Sequence, residues 1–195
     1  MNKTIEYYNN NASKFVEGTV DVEFTEMQEK FLNCLPRKGQ ILDFGCGSGR
    51  DTKYFLDKGY LVDAMDGSEK MCEMASDYTG ISVEHKLFQE LDAKEYYDGI
   101  WACSSILHLD KKELRDVFSL VEKALKISGI MYTSFKYGEF SGERNGRFFT
   151  DFTEESFKEF LEDFPRLSLE ELWITGDVRP GRGNEQWINV ILQKI

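Results

Sequence analysis

The chain is poor in the residues that build metal centres. It has four cysteines, Cys34, Cys46, Cys72 and Cys103, none in a C-x-x-C pair, and two histidines, His85 and His108. That spacing argues against a zinc or iron–sulfur site. The cysteines read instead as reduced, buried, small apolar residues of a cytosolic protein. Long apolar runs are also missing: nothing approaches the roughly 20 residues that a membrane helix needs. The polar start, Met1-Asn2-Lys3-Thr4, lacks a signal-peptide core, so a cytoplasmic location is expected. Basic charge is in deficit, with 24 Lys and Arg against 35 Asp and Glu, a net charge of −11. Phosphate-backbone binding works by Lys and Arg displacing counterions, so neither nucleic acid nor membrane is an expected partner. Prolines number three, Pro36, Pro165 and Pro180, and neither a low-complexity linker nor a repeat divides the chain. A length of 195 residues therefore predicts a single domain.

What is present is an alternation of strand-like and helix-like segments. Phe24, Met27, Phe31, Leu32 and Leu35 have helical spacing within 23–35, and Pro36 follows as a stop. Strands are predicted at 40–44, 60–65, 81–85, 98–103 and 130–135. Between them lie helices over 50–58, ended by Gly59, and after Ser68, a natural N-cap. A third opens at Asp110, where Glu113 completes a capping box, and carries Leu114, Val117, Phe118, Val121 and Leu125. Thr153 caps a last helix with Phe157, Phe160, Leu161 and Phe164 inward. Closing strands at 169–175 and 187–193 have no helix between them and suit an antiparallel pair at one edge. The predicted fold is α/β: a doubly wound, mostly parallel seven-stranded sheet with an antiparallel edge strand and helices on both faces.

The chemistry concentrates at Ile41-Leu-Asp-Phe-Gly-Cys-Gly-Ser-Gly-Arg-Asp51. A strand carrying Asp43 runs into Gly45, Gly47 and Gly49 and then into a helix, so backbone can approach a ligand closely. In such sheets ligands bind beyond the carboxyl ends of the strands. The dinucleotide fingerprint is G-x-G-x-x-G; here the third glycine comes one residue early. No Gly-Lys-Ser/Thr follows, which excludes a P-loop. A carboxylate at Asp43 suits an ammonium or sulfonium better than a pyrophosphate. The second strand ends at Asp66, an acid placed either to accept both hydroxyls of a ribose or to cap the next turn.

Residues 41–50 resemble motif I of the class I S-adenosylmethionine-dependent methyltransferases. Tyr97-Asp98-Gly-Ile-Trp-Ala-Cys-Ser-Ser-Ile-Leu-His108-Leu109 is similar to that family's fourth-strand motif. The likeness covers 40–135 and looks closest to small-molecule enzymes of the tellurite-resistance type. It implies S-adenosylmethionine as methyl donor and S-adenosylhomocysteine as product. The methionine amino group would meet Gly45 and Asp43, with Cys46 and Gly47 beside them. Asp66, Gly67 and Ser68 would hold the ribose. The adenine would lie near Leu87, Phe88 and Gln89, where many members have Asp-Ala in place of Leu87-Phe88. Cys103 and Ser104 would flank the methionine end. Tyr8, Ala12 and Phe15 resemble an entry motif that commonly lids the cofactor. The likeness thus divides the single domain into an N-terminal helical lid (1–36), a cofactor-binding core (37–135) and acceptor-side loops, helix and closing strands (136–195).

Acceptor-side residues carry weaker signals. His108 is a candidate general base, since imidazole titrates near neutrality, or a hydrogen-bonded structural histidine. Arg147, Arg182 and Trp187 could together hold an anionic or planar acceptor, or lie in a solvated loop over 136–149 and beyond. The expected activity is methyl transfer to a small molecule by in-line displacement. Alternatives are a non-catalytic module binding S-adenosylmethionine and, less favoured by the glycine spacing, a nicotinamide-dependent oxidoreductase. Either a monomer or a homodimer fits.

Overall fold

The computed structural model describes residues 3–179 and 181–195. The chain forms α1 (Lys3–Glu17), α2 (Thr25–Leu32), β1 (Gln40–Phe44), α3 (Arg50–Asp57), β2 (Leu61–Asp66), α4 (Glu69–Thr79), β3 (Glu84–His85), β4 (Tyr97–Ala102), α5 (Lys111–Ala124), β5 (Leu125–Lys136), β6 (Ser141–Arg144), β7 (Arg147–Thr150), α6 (Glu154–Leu161), β8 (Leu167–Gly176) and β9 (Gln186–Lys194). Short 3₁₀ turns cover Phe88–Glu90 and Ile106–His108.

Helix starts follow the side chains that satisfy their first amides. The Ser68 hydroxyl accepts from Met71 N–H, and the Thr153 hydroxyl accepts from Ser156 N–H. Asp110 Oδ1 accepts from Lys112 and Glu113 N–H, each at 2.8 Å, while the Glu113 carboxylate accepts from Asp110 N–H at 3.0 Å. Behind that cap, Leu114, Val117, Phe118 and Val121 are wholly buried on one stripe of α5.

Seven strands form one sheet in the order β3-β2-β1-β4-β5-β9-β8. Pairs from β3 to β5 are parallel, and β9 runs antiparallel to both β5 and β8. The expected closing pair is therefore at one sheet edge. One face of the sheet packs Leu114, Phe118, Phe152, Phe157 and Phe160 from α5, α6 and the segment before it. The other packs Met27, Phe31 and Phe55 of α2 and α3 onto Trp101, which stacks on Tyr132 at 4.0 Å between ring centres. Burying each such side chain contributes on the order of 1.5–3 kcal/mol.

Four expectations need correction. The strand expected at 81–85 pairs only at Glu84–His85, because α4 has captured the preceding amides: Val83 N–H donates to Ser76 Oγ and Ile81 N–H to Thr79 Oγ1. The helix expected over 23–35 is the shorter α2, Phe24 having non-helical backbone. The segment 136–149 is no open loop but leads into a β6–β7 hairpin, whose two-residue turn is Asn145-Gly146. Of the cysteines, Cys46 and Cys72 are buried, but Cys34 is exposed and Cys103 half-buried, all of them unbridged. No helix among the described residues is long and apolar enough to cross a membrane.

Candidate functional site

The sheet's winding reverses between β1 and β4, and the turns after these two strands face each other. Ser105 Oγ donates to the Phe44 carbonyl at 2.6 Å, locking them together. This contact explains the first glycine. Gly45 has φ +89°, and a Cβ there would lie 2.5 Å from Ser105 Cβ and 3.1 Å from the Phe88 ring. The third glycine, Gly49, opens α3 at φ +78°, where a Cβ would sit 2.8 Å from Thr79 Cγ2.

A cavity of about 530 Å³ opens beside these turns, within the ~300–1,000 Å³ usual for small-molecule sites. Of the residues singled out from sequence, Tyr8, Gly45, Cys46, Gly47, Asp66, Gly67, Ser68, Phe88, Gln89, Cys103, Ser104, His108, Arg147, Arg182 and Trp187 all line it. Segments more than 100 residues apart in the chain are thus brought to one wall.

Asp66 ties the glycine turn to the end of β2. Its Oδ2 accepts from Gly47 N–H at 3.0 Å and its Oδ1 from Ser68 N–H at 2.8 Å. Burial raises its carboxyl above the ordinary range, while these two amides pull it back. A carboxylate offers about four lone-pair sites, so two stay available for a diol. Phe88 packs edge-on against Phe44, and Leu87 N–H donates to Glu90, which shapes the 3₁₀ turn. Ser104, at φ +53°, donates its N–H to Ser134 Oγ.

Asp43 departs from its expected place. It is only 2% exposed, does not line the cavity, and its Oδ2 accepts from Thr52 Oγ1 at 2.5 Å. Burial, then the charge of Asp51, pushes its carboxyl well above the usual carboxylate range. The acid on the wall is Asp51, in the first turn of α3. Its carboxylate accepts from Gln28 Nε2, Trp101 Nε1 and both Nε and Nη2 of Arg50, at 2.7–2.9 Å. Sequence reasoning missed Asp51, since its donors come from α2 and β4, far along the chain. It also missed Ser105 and Ser134, which follow β4 and belong to β5.

On the far wall, α1 meets the β6–β7 hairpin. Tyr8 Oη lies 2.8 Å from His108 Nε2, and His108 Nδ1 lies 2.7 Å from the Phe148 carbonyl. A carbonyl only accepts, so Nδ1 carries the hydrogen and Nε2 accepts from the Tyr8 hydroxyl. Burial lowers the His108 pKa to about 4, so the imidazole is neutral at physiological pH. Arg147 Nη1 donates to the same Tyr8 oxygen at 3.3 Å, and its guanidinium packs on the rings of Tyr7, Tyr8 and Phe149. Trp187 and Arg182 are already engaged. Trp187 Nε1 donates to Asp177 at 3.1 Å with Lys136 over its ring, and Arg182 faces Glu185 at 3.8 Å. Burial works against charge on Asp177, yet hydrogen bonds from Arg179 prevail and hold its carboxyl below the ordinary range. Among the described residues no cluster of His, Cys, Asp or Glu could hold a metal.

Comparison with known proteins agrees with this geometry. Residues 41–129 match the family model described as "Methyltransferase domain". The Bacillus subtilis (strain 168) protein named "Putative methyltransferase YqeM" is 33% identical over 117 residues, 54% of this chain. This chain spans about half, 47%, of that relative's length. Two solved structures share the fold. The Burkholderia thailandensis 1,6-didemethyltoxoflavin-N1-methyltransferase, determined with 1,6-didemethyltoxoflavin and S-adenosylhomocysteine, superposes with a TM-score of 0.72 at 22% identity, covering 97% of this chain and 89% of that one. The [4+2]-cyclase SpnF reaches 0.75 at 12% identity, covering 97% and 94%. The match to a methyltransferase domain thus covers the part of the chain that holds the glycine turn, the acid ending β2 and strands β1 to β4.

Proposed function

We propose that the protein is an enzyme that transfers a methyl group from S-adenosylmethionine to a small-molecule acceptor. The observation that carries this reading is the bond from Gly47 N–H to Asp66 at the cavity wall, which holds a diol-binding acid against a glycine turn. The chain's residues fit the donor. Asp66 offers lone pairs to ribose hydroxyls, and Gly67 lies beside it, between Ile5 and Leu87. Leu87, Phe88 and Gln89 offer an apolar slot for a purine. Gly45, Cys46, Cys103 and Ser104 line the stretch between, and Asp51 places a carboxylate on the wall for a cationic methionine end.

When bound, S-adenosylmethionine supplies a methyl on a positively charged sulfur, which leaves as a neutral thioether. The protein's task is then alignment and exclusion of water rather than strong base catalysis. Tyr8, with Phe15 beside it at 5.2 Å between ring centres, closes the cavity as a lid residue. We read His108 chiefly as the residue that positions Tyr8; a proton leaving the acceptor would reach Nε2 by way of the Tyr8 hydroxyl. Arg147 faces the acceptor, with half-buried Trp187 and exposed Arg182 at the ionic end of the same wall.

Titration calorimetry tests the reading. Both S-adenosylmethionine and S-adenosylhomocysteine should bind in the micromolar range, roughly −8 kcal/mol, and NAD should not. NAD binding without donor binding would overturn the proposal. Because a cyclase shares the fold, S-adenosylhomocysteine must also accumulate when an accepted substrate is supplied.

A further inference from the structure

We infer that the methyl acceptor is a small organic anion whose carboxylate is held by Arg147; this rests on the methyltransferase reading above. The argument begins from charge pairing in the cavity wall. Its cations are Arg50, Lys136, Arg144, Arg147, Arg179 and Arg182, set against Asp51, Asp66, Asp151, Asp177 and Glu185. Five of the six cations have a carboxylate partner within the wall: Arg50 with Asp51, Lys136 and Arg179 with Asp177, Arg144 with Asp151, and Arg182 with Glu185. Arg147 has none among the described residues. One neutral hydroxyl, that of Tyr8, accepts from it, and its buried Nε has no hydrogen-bond partner among the described residues.

That state is costly unless a ligand completes it, because a buried donor without a partner loses about 1–3 kcal/mol. The three rings around the guanidinium, Tyr7, Tyr8 and Phe149, hold it in place and satisfy no N–H in its plane. A planar fork of N–H groups fixed in this way matches a carboxylate two-pronged, in a geometry a lysine cannot reproduce. Among the described residues no neighbouring acid forms an ion pair with Arg147. Asp151 is drawn to Arg144, and His108 is neutral with its Nε2 turned to Tyr8. The acceptor's nucleophilic atom would then lie near the Tyr8 hydroxyl, the polar group that Arg147 and His108 share. The same lone cation explains why the hairpin is needed: β7 begins at Arg147, and the Asn145-Gly146 turn delivers it over α1.

The test is calorimetry on the full chain with benzoate and with inorganic phosphate, each with and without saturating S-adenosylhomocysteine. Benzoate should bind the wild-type protein, and Arg147→Gln should weaken it roughly tenfold or more. Arg147→Lys, which keeps the charge and most of the stem, should recover only part of the loss. Both variants should still bind S-adenosylhomocysteine, which shows that they fold, and should lose far less affinity for it than for benzoate, because Arg147 reaches the donor side only through Tyr8. Phosphate binding as tight as benzoate, lost in the same variants, would make the site a general anion site and overturn the carboxylate assignment. Benzoate binding that survives Arg147→Gln, or none to the wild-type protein at millimolar concentration, would overturn the inference outright. If S-adenosylhomocysteine itself failed to bind, the donor reading would fall, while titration of the free protein would still decide the role of Arg147.

Discussion

At the level of single residues, two kinds of constraint meet in this site: backbone shape and buried charge. Gly45 combines a left-handed φ of +89° with a Cβ position 2.5 Å from Ser105 Cβ, whereas Gly59 has φ +85° and open space around it. Gly45→Ala should therefore cost roughly 2–4 kcal/mol, and Gly59→Ala only about 1 kcal/mol. Urea midpoints compare them, and equal losses would show that the approach of Ser105 is irrelevant. His108 carries a pH signature. Its folded pKa, about 4, lies below the unfolded 6.5, so the unfolded chain takes up the proton first. Stability from His108 is thus present above pH 6.5 and lost as pH falls toward 4, on the order of 3 kcal/mol in all. In His108→Asn the amide can still donate to Phe148, but Tyr8 loses its acceptor, costing about 1–3 kcal/mol near pH 7.5. The deficit of that variant should shrink on acidification, because wild type alone pays for protonating the imidazole. Asp43, titrating in the opposite sense, is common to both proteins and cancels in the difference. Parallel stability curves would refute the neutral-histidine assignment.

Among the elements, α1 buries only Thr4 and Ala12 of its 15 residues. It is held by polar contacts to distant parts of the chain: Asn9 Oδ1 accepts from the Ser68 hydroxyl, Thr4 Oγ1 accepts from Phe148 N–H, and Tyr8 meets His108. Four of these residues, Thr4, Tyr8, Ser68 and His108, also line the cavity. A ligand there should couple to the whole helix. We expect S-adenosylhomocysteine to slow amide hydrogen exchange through α1 roughly tenfold or more, with the buried strand β1 unchanged. Equal protection of both, or of neither, would argue against a lid. The hairpin teaches a different lesson. Asn145 and Gly146 have φ +53° and +77°, the two left-handed residues of a type I′ turn, and Asn-Gly is the strongest short hairpin signal. The element was therefore readable; the charge of its strands masked it. Helices α5 and α6 were legible from their caps, since capping is local chemistry. The truncation of β3 was not, because it depends on hydroxyls of α4 competing for strand amides.

For the molecule as a whole, the sheet could be read from alternation and the cavity from the glycine turn, because both follow from short-range pattern. Which acid faces the ligand could not. Asp43 and Asp51 are eight residues apart, and only the tertiary donors Gln28 and Trp101 put Asp51 on the wall. The net charge of −11 acts on a longer scale than either. S-adenosylmethionine carries a sulfonium, an ammonium and a carboxylate, net +1, whereas S-adenosylhomocysteine is net neutral. The acidic surface should therefore favour the donor over the product, and a carboxylate acceptor must be recognised at short range, by Arg147, against the prevailing field. The Debye length falls from about 30 Å at 0.01 M salt to about 8 Å at 0.15 M. Over that span the affinity and association rate for S-adenosylmethionine should decline while those for S-adenosylhomocysteine hold nearly constant. Calorimetry and stopped-flow fluorescence at several salt concentrations would measure both slopes. Equal slopes would mean that the near-balanced charges of the cavity wall, rather than the molecule's overall charge, govern how the donor is admitted.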